Sequence, residues 1–284
     1  MKRITCIFLA ILILSTISAC AKKTEGVKQL QIVYEAVLSA DTAVEGVRQI
    51  IAWQITESAN SANSASEGTV LEEDLAENQQ KAAELSGYMQ QIESNMSVVG
   101  ALTKTGVNEV DLTIDAAVAY FDMLHSAFLD LTSIFTFYFD YEAATLPLTQ
   151  FDAKNTDTTD YLTYIEDLWN ALNLTCENMR AVNCPDYMSR TSELYITQIE
   201  NYQAMLESLY KNAYSGDILA LYSADNMGIR TDIQITKYTF RLTEDFNMQY
   251  KKVDERLDLS IGTLGSELKV NCRTLLLAMG EEAA

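Results

Sequence analysis

Only two prolines and 11 glycines punctuate 284 residues, and histidine occurs once. So few turn residues argue against a β-rich or loop-rich fold. The lone histidine, His125, leaves no second ligand for bundle metal centres built on paired Glu-x-x-His motifs. Any Ser-His-Asp or Cys-His nucleophile would also have to use it. No serine or cysteine sits in a nucleophile motif, so the sequence reads as non-enzymatic and without a cofactor. Bases are scarce too: 20 Lys and Arg stand against 40 Asp and Glu, a net charge of −20. Nucleic acid needs a basic patch, and flat adhesion to an anionic membrane needs one as well, so the charge argues against both. It is compatible with cationic partners, and it also serves solubility.

Cysteine is sparse and unpatterned: no CxxC and no zinc-ligand spacing occurs among the five. Cys6 and Cys20 lie in the first 20 residues. Cys176, Cys184 and Cys272 remain, and buried small hydrophobes are the ordinary role for them. Pairing of two of the three is open at this level.

What is there begins with MKRITCIFLAILILSTISAC. Lys2 and Arg3 form a positive start, Ile4 to Thr16 an apolar run, and Ile17-Ser18-Ala19-Cys20 a small-residue step into cysteine. The apolar run is short of the ~20 residues that span a bilayer. It resembles a bacterial lipoprotein signal peptide with its lipobox. The resemblance implies export, diacylglycerol transfer to the Cys20 sulfur, and cleavage of residues 1–19. It places the rest outside the cytoplasm, on the cell surface or the periplasmic side, with the bilayer as a partner through acylated Cys20. Removing 1–19 takes away two bases and no acids, leaving 18 bases, 40 acids and a net charge of −22. Residues 20–27 are then a lipidated tether, of which 21–27 reach only ~20 Å at ~3.3 Å per residue.

The remainder carries helical periodicity almost throughout. Leu30, Val33, Val37, Ala40, Val44, Val47 and Ile51 recur by threes and fours, a heptad stripe that packs on another long helix. The Ser/Ala/Asn run Thr56–Gly68 reads as a loop. A second stripe runs from Leu71 through Leu85 and Ile92 to Val99, with Gly106 as its stop. In the third, about 108–142, apolar residues dominate. Asp115, Asp122, Ser126, Asp130, Ser133 and Asp140 nevertheless share one arc at ~100° per residue, which marks a core helix rather than a membrane span. Leu146-Pro147-Leu148 and the polar run to Asp160 read as an interruption. Further helices follow over about 161–182, 185–215 and 235–279, the fifth with Tyr187 inward and the last with a bend or break at Gly262 or Gly265.

Few positions suggest chemistry. Asp122 lies one turn before His125, and the two are the metal candidates, facing each other on one helix. Asn155, Asp157, Thr159 and Glu166 fit part of a calcium-loop template, but Asp160 stands where the turn needs glycine. Phe135, Tyr138 and Tyr141 belong to an aromatic cluster that could line a ligand pocket or fill the core.

Together these observations predict an all-α protein, an elongated bundle of about six long amphipathic helices. Two three-helix halves, 28–142 and 158–284, joined by a loop over 143–157, are one arrangement it allows. The functional expectation is a membrane-anchored binding or scaffolding module with a protein, peptide or glycan partner. The alternative is a cation- or metal-binding lipoprotein using acidic side chains and His125, and an enzyme of unknown class is a third.

Overall fold

The computed structural model describes the backbone of residues 2–64, 72–154, 161–215 and 218–280. It describes side chains for 22–57, 76–148, 150–151, 162–215, 234 and 237–280. Among the described residues there is no strand, and the expected all-α bundle is what the chain forms. The helices are α1 (Lys2–Ser64), α2 (Glu72–Gly100), α3 (Asn108–Lys154), α4 (Tyr161–Ala181), α5 (Asp186–Ser215), α6 (Ile218–Glu255) and α7 (Gly262–Ala278). A π-helical segment, Arg256–Ile261, joins α6 to α7.

The chain divides into two compact units, each drawn from separated stretches. Unit one comprises Met1–Ile50, Glu84–Leu129 and Val253–Ala284; unit two comprises Ile51–Ala83 and Asp130–Lys252.

In unit one, five of the six stripe positions from Leu30 to Val47 of α1 are buried, with Val44 half-exposed and Ala43 taking its place. Across from them Leu85, Ile92 and Val99 of α2 are buried, as are Phe121, Leu124 and Phe128 of α3. Polar pairs set the register. Gln91 Nε2 donates to the Ser39 hydroxyl at 2.9 Å, and Lys269 Nζ reaches Asp41 at 2.5 Å. Arg48 bonds both Asp254 and Asp258, at 2.8 and 3.0 Å.

The α2–α3 connection is closed by one carboxylate. Asp111 accepts from the Thr105 N–H at 2.7 Å, the Thr105 hydroxyl at 2.9 Å and the Gly106 N–H at 3.1 Å. Gly106 has φ +75°, which glycine adopts without penalty. It lies in this connection and not at the end of α2, which stops at Gly100.

Unit two packs an aromatic core between α3, α5 and α6, with α4 and α5 as a hairpin. Ile165, Leu168 and Leu172 of α4 and Ile199, Leu206 and Leu209 of α5 are buried. Gln203 Nε2 donates to Asn173 Oδ1 at 3.4 Å across that hairpin. Tyr187, expected inward, is 47 % exposed, and Met188 beside it is buried in its stead. Its hydroxyl bonds Ser133 of α3.

Two expected breaks are helical instead. α1 continues through Thr56 to Ser64. Ser, Ala and Asn are affordable in a helix, and the Thr56 hydroxyl folds back on the Ala52 carbonyl at 2.8 Å. α3 likewise runs through Pro147 to Lys154, so residues 143–154 of the expected loop are helix. Proline there removes one N–H, a local cost of ~3 kcal/mol. Burial of Ala144 and Phe151 offsets it, Phe151 packing on Tyr164 of α4 with centroids 5.3 Å apart. Residues 216–217 aside, the stretch 218–230 left undecided by its sequence is the first part of α6.

The last stripe is broken by a wide turn. Val253, Leu257, Ile261 and Gly265 are all buried at four-residue steps. In an α-helix each such step drifts ~40°, so three in a row would carry the stripe out of the core. The π turn absorbs that drift: Gly262 N–H donates to the Leu257 carbonyl five residues back.

Candidate functional site

α3 supplies most of the residues singled out from sequence. Asn108–Leu148 is, by length and composition, apolar enough to cross a membrane. Its large side chains are used within the protein: Phe121, Leu124, Phe128 and Leu131 are all fully buried. On the opposite arc Asp115, Asp122, Ser126, Asp130, Ser133 and Asp140 are exposed, all six as the periodicity placed them. Lys104 pairs with Asp115. Leu112 and Leu129 flank the arc at 60 % and 50 % exposure.

The metal candidates are not brought together. His125 is half-buried and its Nε2 lies 3.5 Å from Glu93 Oε1 of α2, while Asp122 points to solvent. Among the described residues no group of three or more His, Cys, Asp or Glu side chains is placed to hold a metal ion. The partner of the histidine thus comes from a neighbouring helix, where no spacing rule could find it. Of the calcium-loop candidates, Asn155, Asp157 and Thr159 lie outside the described residues, and Glu166 is exposed on α4.

The aromatic candidates are brought together, and with partners from α5 and α6 that the sequence did not single out. Phe135 is buried against Tyr250 at 5.2 Å. Phe246 meets Phe137 at 5.4 Å, Tyr138 edge-on at 5.0 Å and Tyr141 at 6.1 Å. Tyr141 bonds Tyr195 of α5 through its hydroxyl. Edge-to-face and tilted pairs of this kind add ~0.5–1.5 kcal/mol each beyond their buried area. Phe135 and Tyr141 are therefore core. Tyr138 is half-exposed and borders the surface.

No family model, curated protein or solved structure matches this chain. The residues must speak for themselves.

All three described cysteines are free. Burial pushes the Cys176 thiol up to about 11 and that of Cys272 to about 12, and Cys184, half-exposed, is raised in the same way. A thiol that far above neutrality carries almost no thiolate and is a poor nucleophile. Cys20 lies outside the described side chains.

Unpartnered buried polar atoms are unevenly distributed. Among the described residues, unit one has Gln29 Oε1, and unit two has Gln54 Oε1, Trp169 Nε1, Thr175 Oγ1, Asn247 Oδ1 and the Tyr250 hydroxyl. Asn247 and Tyr250 are one turn apart on α6, and the Tyr250 ring packs on Phe135.

Proposed function

We propose that the chain is a lipid-anchored, extracytoplasmic helical-bundle protein that binds or scaffolds a partner and catalyses no reaction. The lipobox-like head supports the anchoring, because small residues before Cys20 follow a positive start and an apolar run. The observation that carries the binding role is the exposed arc of α3. Its four aspartates and flanking Leu112 and Leu129 form a mixed acidic and apolar face suited to a basic, partly apolar protein or peptide. His125, held by Glu93, and Phe135 and Tyr141, used in the core, leave this face as the part of α3 that can meet a partner.

The anchoring half of the proposal is tested by feeding cells that make the full chain an alkyne-bearing fatty acid. The expected result is labelling of the protein that disappears in Cys20→Ser. Equal labelling of Cys20→Ser, or none in either, overturns it.

A further inference from the structure

One end of unit one lies within reach of Cys20. α1 is helical without interruption from Lys2, and its packing begins at Gly26, which is buried. A β-carbon at Gly26 would stand 3.4 Å from Val110 Cγ2 of α3 and 3.9 Å from Met279 Cε, just past α7. Nearly one turn on, Gln29 is buried and its Nε2 donates to the Thr103 hydroxyl of the α2–α3 connection at 3.3 Å. Lys22 Nζ lies 3.3 Å from where a β-carbon of Gly106 would stand, in the same connection. The first packed turns of α1, the α2–α3 connection and the end of α7 thus form one end of unit one. Cys20 precedes Gly26 by six residues, ~9 Å of helix rise.

The charge of this end differs from that of the rest of the chain. Lys22, Lys23, Lys28 and Lys104 are exposed there, with Glu25 and Glu109. Asp111 is spent on the N–H groups of the connection, and Lys104 pairs with Asp115. Stretches 20–29, 100–111 and 276–284, which form this end or continue it in sequence, hold four bases and five acids. The other residues beyond Cys20 hold 14 bases and 35 acids, so nearly the whole acid excess lies away from it. The potential of an anionic bilayer fades over about one Debye length, ~8 Å at physiological salt. Groups at this end feel that potential, and the acids farther along are screened from it. A strongly acidic chain can therefore meet an anionic surface end-on.

We propose that this end of unit one is a lipid-facing surface, on which the Lys22 and Lys23 ammonium groups pair with phospholipid phosphates. The α2–α3 connection then lies against the headgroups and is closed to a soluble partner. Lysine suits this task as a point charge that asks no fixed geometry of the phosphate. The inference rests on the anchoring half of the proposed function, and adds which end of unit one the membrane covers.

The test places a benzophenone crosslinker at Ala101 or Asn108, both exposed at this end, in the full chain. The chain is held in nanodiscs of equimolar phosphatidylcholine and phosphatidylglycerol. Lipid adducts are expected at both positions and not at Leu259, exposed in the π-helical segment of the same unit. Phosphatidylglycerol should be enriched in the adducts by about fivefold per lysine, from ~1 kcal/mol for each near the surface. That enrichment is expected to vanish when Lys22→Gln and Lys23→Gln are combined, a change at two exposed positions that leaves the fold intact. Absence of adducts at Ala101 and Asn108, or equal adducts at Leu259, overturns the proposal. So does unchanged enrichment in the double variant with helicity intact. A chain that fails to co-purify with the discs removes the anchoring reading as well; one that co-purifies without adducts removes this inference alone.

Discussion

Gly265 of α7 faces the ring of Tyr120 of α3 so closely that a β-carbon at position 265 would stand 3.0 Å from Tyr120 Cε2. Gly46 of α1 shows a second such approach within unit one, where a β-carbon would overlap the Tyr88 ring. The two cases differ in what can give way. Tyr120 is 2 % exposed and packs edge-on against Phe121 at 5.0 Å, so its ring is locked. Tyr88 is half-buried and can swing its free end outward.

Gly265→Ala is therefore expected to be the costlier change, although its clash is the milder. Overpacking a fixed core costs ~1–3 kcal/mol, and the better helix propensity of alanine returns ~1 kcal/mol. A net loss of about 1 kcal/mol lowers the thermal midpoint by ~2–4 °C. Gly46→Ala should stay within ~0.5 kcal/mol of the parent, since ring movement and propensity offset each other. Thermal unfolding of the two variants checks the order. The reverse order would mean that Tyr88 and not Tyr120 is the rigid partner.

Acid should loosen the α2–α3 connection through Asp111. Its carboxyl is held below the ordinary 3.8 first by the Thr105 backbone N–H, then by the Thr105 hydroxyl, the Gly106 N–H and Lys104. A depressed carboxyl stabilises the folded state fully above its unfolded value, and that contribution fades as pH falls below 3.8 through the lower folded value. Asp111→Asn is accordingly expected to be less stable than the parent at pH 7, the two curves converging as pH drops below 3.8. A gap that persists unchanged at low pH would show that the loop does not depend on the charge.

The cysteines should react in order of access. Cys184, half-exposed, is expected to be modified first by a thiol reagent at pH 8. Cys176 near 11 and Cys272 near 12 are expected to react only after denaturant unfolds the chain. Fast native-state labelling of Cys272 would contradict the packing of α7.

Much of this architecture was legible because burial follows residue spacing. Leu30, Val33, Val37 and Ala40 repeat at helical steps and are buried, and the six polar residues of the α3 arc are all exposed. What was not legible depends on contacts between distant segments. Pro147 and the Ser/Ala/Asn run after Thr56 have the composition of loops, and in α3 the Phe151–Tyr164 contact carries the helix past its proline. The π turn shows only as four-residue steps from Val253 to Gly265, a pattern that period counting reads as ordinary helix. His125 meets Glu93, 32 positions away, and not its near neighbour Asp122. Phe246 and Tyr250 lie at helical steps of the last segment and Tyr195 off the inward positions of the fifth, and only the folded chain sets the three around Phe135 and Tyr141.

The binding role of the α3 arc is tested most directly by photo-crosslinking on intact cells, with the crosslinker placed in turn at Asp122, Ser126 and Leu129. The account predicts one discrete adduct shared by these three positions and absent from an exposed control such as Thr274. It also predicts that the adduct is lost when Asp122→Lys and Asp130→Lys are combined, the helicity of the chain being unchanged. Absence of any adduct along the arc, or the same adduct at Thr274 and in the charge-reversed chain, would contradict it.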